Sequence, residues 1–474
     1  MSAVPKFIGL SGQMLSIAIT SILTFGFVLV GYDQGTEFFN SDLLNPLLIY
    51  DYCLGVMSGV ITSTGFLDTL PQVDHNANLL GFVVAIYVLG CASGAAFCML
   101  LGDRLGRKKA CFLGGLTVMI GVIILTTTYA TPGNGGALAQ FLIGRYVAGC
   151  GNGINMASMP VIQAELTHAG RGTIVCLECG LIGIGTMLAY WINYGVRNGG
   201  LSFTWRFPLA FQNALALIYT IGVLFIPESP RWLCKVERVE EATKVMAAIN
   251  NESTDAEGTR NDIRGILDSI AIEKQAGAKS NFRDMTTGGP SQHRRRLLIG
   301  ISSQFFQQIG GCNAVIYYVP ILFEDSLKQS HDESLLLGGA NITIYAAFAL
   351  VSFWTIEWIG RRKLFLAGSI GQCLSMVITF GCLIPGTPSA AKGAAFGLFL
   401  YIAFFGATYL TVPWLWAAEI NPLRMRAKGA ALANVVNWST NFLVVMVTPI
   451  MVQNIGYGTY IFFAAMNAIS IPVV

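Results

Sequence analysis

The stretch GDRLGRKK (102–109) returns 254 residues later as IEWIGRRK (356–363). Asp103, Gly106 and Arg107 meet Glu357, Gly360 and Arg361 at that one offset, and the same offset carries Glu165 onto Glu419. Coincidence is a poor explanation for four matched positions, so the chain reads as two copies of one unit. Each basic turn lies between long apolar runs. Runs long enough to span a bilayer occur near 13–33, 79–101, 110–130, 137–160, 173–195 and 207–227, and again near 297–322, 335–357, 363–385, 393–418, 428–452 and 457–474. A crossing takes about 20 apolar helical residues. Six spans, a polar interval from Glu228 to Arg296, and six more spans predict parallel repeats around a central site.

Composition agrees. Of the 474 residues, 54% are hydrophobic and only 12% are charged, where a soluble domain carries about 25%. A soluble enzyme, a disordered chain and a nucleic-acid binder are excluded, although the formal net charge is +3. The fold class is therefore all-α and integral to the membrane, with the lipid bilayer as its solvent. The eleven cysteines are dispersed singly with no CxxC pair and read as small apolar fillers. The sequence has no nucleotide-binding loop, metal-ligand cluster or nucleophile triad, so no enzyme, cofactor or metal is expected. With Lys6 the only base before the first apolar run, no cleavable leader is expected either.

Bases fix the orientation. Arg104, Arg107, Lys108 and Lys109 fall between spans two and three, Arg171 between four and five, Arg361, Arg362 and Lys363 between eight and nine, and Arg424, Arg426 and Lys428 between ten and eleven. Positive-inside logic places these loops, both termini and the middle interval in the cytoplasm. That interval holds 23 of the 55 charged residues in 69 positions, too dense for a bilayer. EEATKVMAAI (240–249) and NDIRGILDSIAIEK (261–274) predict amphipathic helices there. The expected divisions are 1–227, 228–296 and 297–474.

Further motifs join the repeated turn: GYDQG (31–35), GRYVAGCGNG (144–153), PESPRWL (227–233), QQIGGCNAVIYY (307–318) and PWLWAAEINPLRMRAKG (413–429). Together they resemble the sugar porters of the major facilitator superfamily over nearly the whole chain. YWINYG (190–195) and WRFPLAFQ (205–212) look like fungal transporters, similar to the glycerol–proton symporter type and its hexose-carrying relatives. The resemblance implies twelve transmembrane helices in two six-helix bundles. It also implies a plasma-membrane monomer that moves a monosaccharide or small polyol with protons by alternating access. A hexose facilitator and a non-functional gene product are the other readings. A sugar sensor, which in this family signals through long cytoplasmic tails, is not expected.

Three charges remain inside the spans: Asp33, Arg145 and Glu178. Charged groups at membrane depth are costly and mark functional sites. Asp33 in the first span and Arg145 in the fourth have depths compatible with an ion pair, and the resemblance implies that the aspartate takes the proton. Substrate hydroxyls both donate and accept, which amides match. Gln307, Gln308 and Asn313 flank Gly310 and Gly311, a soft point in span seven. Trp414 follows Pro413, and Asn437 and Asn441, four apart, share a helix face. By resemblance these six fall on sugar-contacting positions, and Tyr317 and Tyr318 on an outer gate. Glu178 and Cys179 stand where sugar-binding relatives usually have glutamine, and Tyr345 where an asparagine is common. Both changes remodel the pocket. Arg104, Arg107, Glu165 and Arg171 in one half, with Glu357, Arg361, Glu419 and Arg426 in the other, form an expected set of cytoplasmic gate ion pairs.

Two features depart from the pattern. Removing residues 36–55 restores GYDQGVMSGVIT and a continuous helix, so this stretch reads as an insertion, either a retained intron or a true loop. The counterpart of PESPRWL would fall beyond Val474, so the twelfth span is expected to be truncated.

Overall fold

The computed structural model describes residues 4–7, 9–35, 70, 77–129, 136–166, 171–196, 200, 202–277, 292–316, 331–421 and 426–473, and among them there is no strand. Residues 36–55, Tyr317 and Tyr318, and the side chains of Arg171 and Arg426, lie outside this description.

Six long helices come first: α1 (Gly12–Gly35), α2 (Ala77–Leu105), α3 (Arg107–Thr126), α4 (Gly136–Leu166), α5 (Arg171–Val196) and α6 (Phe203–Phe225). Three helices fill the polar interval: α7 (Pro230–Lys235), α8 (Val239–Asn250) and α9 (Glu257–Gly277). The second set is α10 (His293–Ile309), α11 (His331–Ile359), α12 (Arg361–Leu383), α13 (Pro388–Phe404), α14 (Val412–Glu419), α15 (Arg426–Ile455) and α16 (Gly458–Val473). A π-helical turn, Phe405–Tyr409, links α13 to α14 on one path.

Among the described residues nine helical stretches are long and apolar enough to cross a membrane. α4 is not one of them, because Arg145, Asn152, Asn155 and Gln163 dilute its apolar character. Large apolar side chains face outward, among them Leu100, Ile123, Trp354 and Trp358. In water this surface would drive association, whereas lipid solvates it.

Packing follows the repeat. α3 packs on α4 and α6, while α12 packs on α13 and α16. The two sets meet through α2 against α15 and α5 against α11. α2 and α4 approach backbone to backbone: a Cβ added at Gly94 or Gly153 would run into the main chain of Cys150 or Cys91. Small residues permit such contact where lipid supplies no hydrophobic drive.

Both basic turns use a glycine in the left-handed region, Gly106 at φ 87° and Gly360 at φ 86°. Each lets the chain turn from one helix into the next at once. Behind Gly106, Glu228 caps α3. Its Oε1 accepts the backbone N–H of Arg107 and of Lys108, both at 3.1 Å. These are donors that the first helical turn leaves unpaired, and the negative charge suits the helix N-terminus. Lys108 Nζ donates to the Leu224 carbonyl at 2.7 Å, so the start of α3 is fastened to the end of α6.

Helices α8 and α9 cover the periodic stretches of the interval. Ser229 caps α7 by accepting from the Trp232 N–H at 3.2 Å. Trp232, Val245, Ile249, Ile263 and Ile270 bury their side chains in one cluster with Leu15, Ile19 and Leu23 of α1. These helices therefore pack on the first six.

Candidate functional site

A cavity of about 490 Å³ lies where α5, α10, α14 and α15 converge. Gln307, Gln308, Asn313, Trp414, Asn437, Asn441 and Glu178 all line it. So do Phe27, Trp438 and Tyr345. On the α2 side the wall continues through Cys98 and Gly102 to Arg107, so the cavity reaches the end of the molecule where the basic turns lie.

The amides form one hydrogen-bonded network. Asn437 Nδ2 donates to Gln304 Oε1 at 2.6 Å and to Gln307 Oε1 at 2.8 Å. Gln308 Nε2 donates to Asn437 Oδ1 at 3.3 Å. Asn313 Nδ2 donates to Gln308 Oε1 at 2.8 Å and also to Asn441 Oδ1. Buried polar groups without partners are costly, and here each amide orients the next. Gln304 is fully buried behind the wall. It was missed from the sequence, although its place four residues before Gln308 puts it on the same helix face.

Broken helices hold this network in position. α10 ends at Ile309 and the chain resumes helix at 312–316. Gly311 takes φ 95°, and a Cβ there would meet the Phe463 ring at 2.6 Å. The freed Gly310 carbonyl accepts from Tyr401 Oη and Asn467 Nδ2, both at 2.9 Å. At the π turn, Gln307 Nε2 donates to the carbonyls of Tyr409 at 2.7 Å and Leu410 at 3.2 Å. One cavity amide thus satisfies carbonyls released by the facing helix break, as backbone at membrane depth requires. The π turn left no signal in the sequence reading, which treated this span as one continuous helix.

A second polar group is buried among α1, α2 and α4. Asp33 is 2% exposed and Arg145 3%. Asn152 Nδ2 donates to Asp33 Oδ2 and to Tyr87 Oη at 2.7 Å. The Arg145 guanidinium lies over the Tyr87 ring, 5.2 Å from its centroid. Asn152 and Tyr87 thereby connect the two charges. Neither was singled out from the sequence, yet an asparagine inside the glycine run of span four carries the same burial cost as a charge in kind, if not in size.

At the basic end Arg107 Nε meets Glu165 Oε2 at 3.5 Å, and Arg361 Nη2 meets Glu419 Oε1 at 3.3 Å. Each pair closes within its own half. Arg104 and Glu357 are exposed nearby.

Tyr345 is buried against Phe405, with ring centroids 6.2 Å apart and planes 28° from parallel. It lines the α11 side of the cavity. Cys179 beside it donates weakly to the Leu410 carbonyl at 3.7 Å.

A sequence profile of the family described as "Sugar (and other) transporter" matches residues 44–474. Over 475 residues the chain is 39% identical to the major facilitator superfamily transporter mfsA of Aspergillus fumigatus, covering 98% of this chain and 83% of that one. It is 38% identical to the sugar transporter STL1 of Saccharomyces cerevisiae, covering 98% of this chain and 79% of the other. In three dimensions it is similar to the proton:xylose symporter XylE bound to 6-bromo-6-deoxy-D-glucose. There the TM-score is 0.79 at 25% identity, with 97% of this chain and 95% of that one covered.

Proposed function

The chain belongs to the sugar transporter family, and on that premise we propose that it carries a monosaccharide or a small polyol such as glycerol, with a proton, through the cavity between its two helix sets. The chain is a membrane transporter and not an enzyme. The observation that carries the substrate reading is the cavity wall: a connected set of neutral amides with Trp414 beside it. Amides match hydroxyls in both donor and acceptor roles, and an indole face covers the apolar side of a sugar ring. About 490 Å³ lies within the range of small-molecule sites and accommodates either substrate.

Asp33 is the proposed proton carrier, with Arg145 as its charge partner, mediated by Asn152 and Tyr87. Residues 1–227 and 297–474 act as the two rocking units, and 228–296 rides on the first. The basic turns face the cytoplasm of the plasma membrane, so the cavity opens inward in this structure. The Arg107–Glu165 and Arg361–Glu419 pairs are the inner gate with its halves apart; when the basic end closes, these groups engage across the seam. Tyr317 and Tyr318 would close the outer mouth. The protein works as a monomer.

Uptake of labelled glycerol and glucose in a yeast lacking its own carriers, with and without an uncoupler, tests the proposal. Concentrative uptake of one of them that collapses with the uncoupler is the expected result. Uptake that equilibrates and ignores the uncoupler identifies a facilitator instead, and no uptake of either refutes the substrate assignment.

A further inference from the structure

Glu178 is the one acid on the described wall of the cavity. It is 4% exposed, and its Oε1 is buried without a hydrogen-bond donor from the protein. Arg107 is the one base on the same wall, and it is engaged with Glu165 at the basic end. Among described side chains, the charged groups on helices packed against α5 are Asp33 of α1, Arg145 and Glu165 of α4, Arg206 of α6, Glu357 of α11 and Glu419 of α14. None of these lines the cavity. The neutral titratable groups on the same helices are Tyr32, Tyr146, Cys150, Tyr219 and Tyr345, of which Tyr345 alone lines it. Glu178 therefore shares the described wall with Tyr345, Cys179, Cys312 and the amides, and Arg107, paired with Glu165, is the one cation on it.

An ionised carboxyl in such a place is costly when water is excluded. A bound proton removes the charge and changes the side chain from acceptor only to donor and acceptor, the pairing a hydroxyl needs. Water entering an open cavity solvates the carboxylate and permits the reverse step.

We propose that Glu178 is a second proton-binding site of this carrier, inside the substrate cavity and separate from Asp33. The neutral acid hydrogen-bonds a substrate hydroxyl while the cavity is closed. On opening, the acid O–H bond breaks, the proton passes to water on the open side, and the carboxylate remains until a proton from the opposite side replaces it. This rests on the reading of the cavity as the transport path.

Infrared difference spectroscopy on the full chain in liposomes, with pH stepped and no substrate present, reads the carboxylic-acid carbonyl directly. A band that grows as pH falls is expected, absent in Glu178→Gln and retained in Asp33→Asn. Glu178→Asp keeps an acid and should keep the band at a shifted frequency, which separates loss of the group from loss of the fold. A spectrum unchanged by both Glu178 variants overturns the proposal. Glycerol, xylose or glucose added to the unmutated protein should then move the same band. If the band titrates and none of the three moves it, the substrate reading of the cavity fails while the proton site stands.

Discussion

Arg107 with Glu165, and Arg361 with Glu419, close at 3.5 Å and 3.3 Å behind glycines whose φ angles are 87° and 86°. Deeper in the helices the two halves part company. At the offset that aligns these turns, Trp414 meets Pro160, Asn437 meets Gly183, Asn441 meets Met187, and Arg145 meets Phe399. Both halves bury amides, but among the described residues only the first buries charge, in Asp33, Arg145 and Glu178, while the second gathers neutral amides around the cavity. The repeat persists at the basic turns and is lost at the buried polar positions; under the proposed function the first would share a mechanical task and the second would divide the chemistry. On the proposed reading, the proton sites lie in the first half, and most of the groups that meet substrate lie in the second.

The largest expected effect would sharpen that division. Asp33→Asn imitates the protonated acid permanently and removes one of the two proposed proton sites, so accumulation should fall sharply while exchange down a gradient survives. One proton charge is worth about 2.3 kcal/mol per 100 mV, so roughly fifty-fold accumulation is at stake for one proton per substrate. Uptake against a gradient with external pH stepped is the measurement. Equal accumulation by the variant would place coupling elsewhere and break the comparison.

Trp414→Ala should come next. The side chain lines the cavity and carries no charge, so truncation removes aromatic contact and leaves no buried ion behind. A loss of about ten- to a hundred-fold in subsaturating uptake corresponds to roughly 1.5–3 kcal/mol. Unchanged uptake at normal surface expression would remove Trp414 from recognition.

Asn437→Ala strikes the centre of the network. It strips Gln304 and Gln307 of a donor, and each unsatisfied amide costs about 1–3 kcal/mol. An apparent KM raised by about ten-fold, with the pH dependence of uptake preserved, is expected. A change in the pH profile would show that recognition and coupling are not separately housed.

Most of the fold was legible because hydrophobic span length and loop charge are local properties. The α3 and α12 starts follow directly from the glycine of each basic turn. The amides Gln307, Gln308, Asn313, Asn437 and Asn441 were legible as chemistry, and their spacing put them on shared faces. Asn152, Tyr87 and Gln304 were not, because what distinguishes a buried amide or phenol is the neighbour it meets across two helices. The π turn at 405–409 was equally hidden: its carbonyls are tolerated through Gln307, a hundred residues earlier in the chain.

The smallest expected effect compares the two turns themselves. Gly106→Ala and Gly360→Ala both place a side chain at positive φ, at a cost of about 1–2 kcal/mol. A Cβ at Gly106 also meets Glu228 Oε2 at 2.7 Å, whereas nothing lies within 4 Å at Gly360. Thermal unfolding in detergent should rank Gly106→Ala as the more damaging. Equal shifts would mean that the crowding around Glu228 relaxes without strain.

The Glu228 cap also has a consequence for the order of events in synthesis. The acceptor for the Arg107 N–H lies 121 residues downstream. At about 5–20 residues per second, the ribosome delivers it roughly 6–24 s after α3 begins to emerge. Until then the first amides of α3 lack their native partner. The lock arrives only when the sixth span has been made, so a chain stalled before Glu228 cannot close this joint. A ribosome-stalling series that brackets position 228 would watch that closure as it happens.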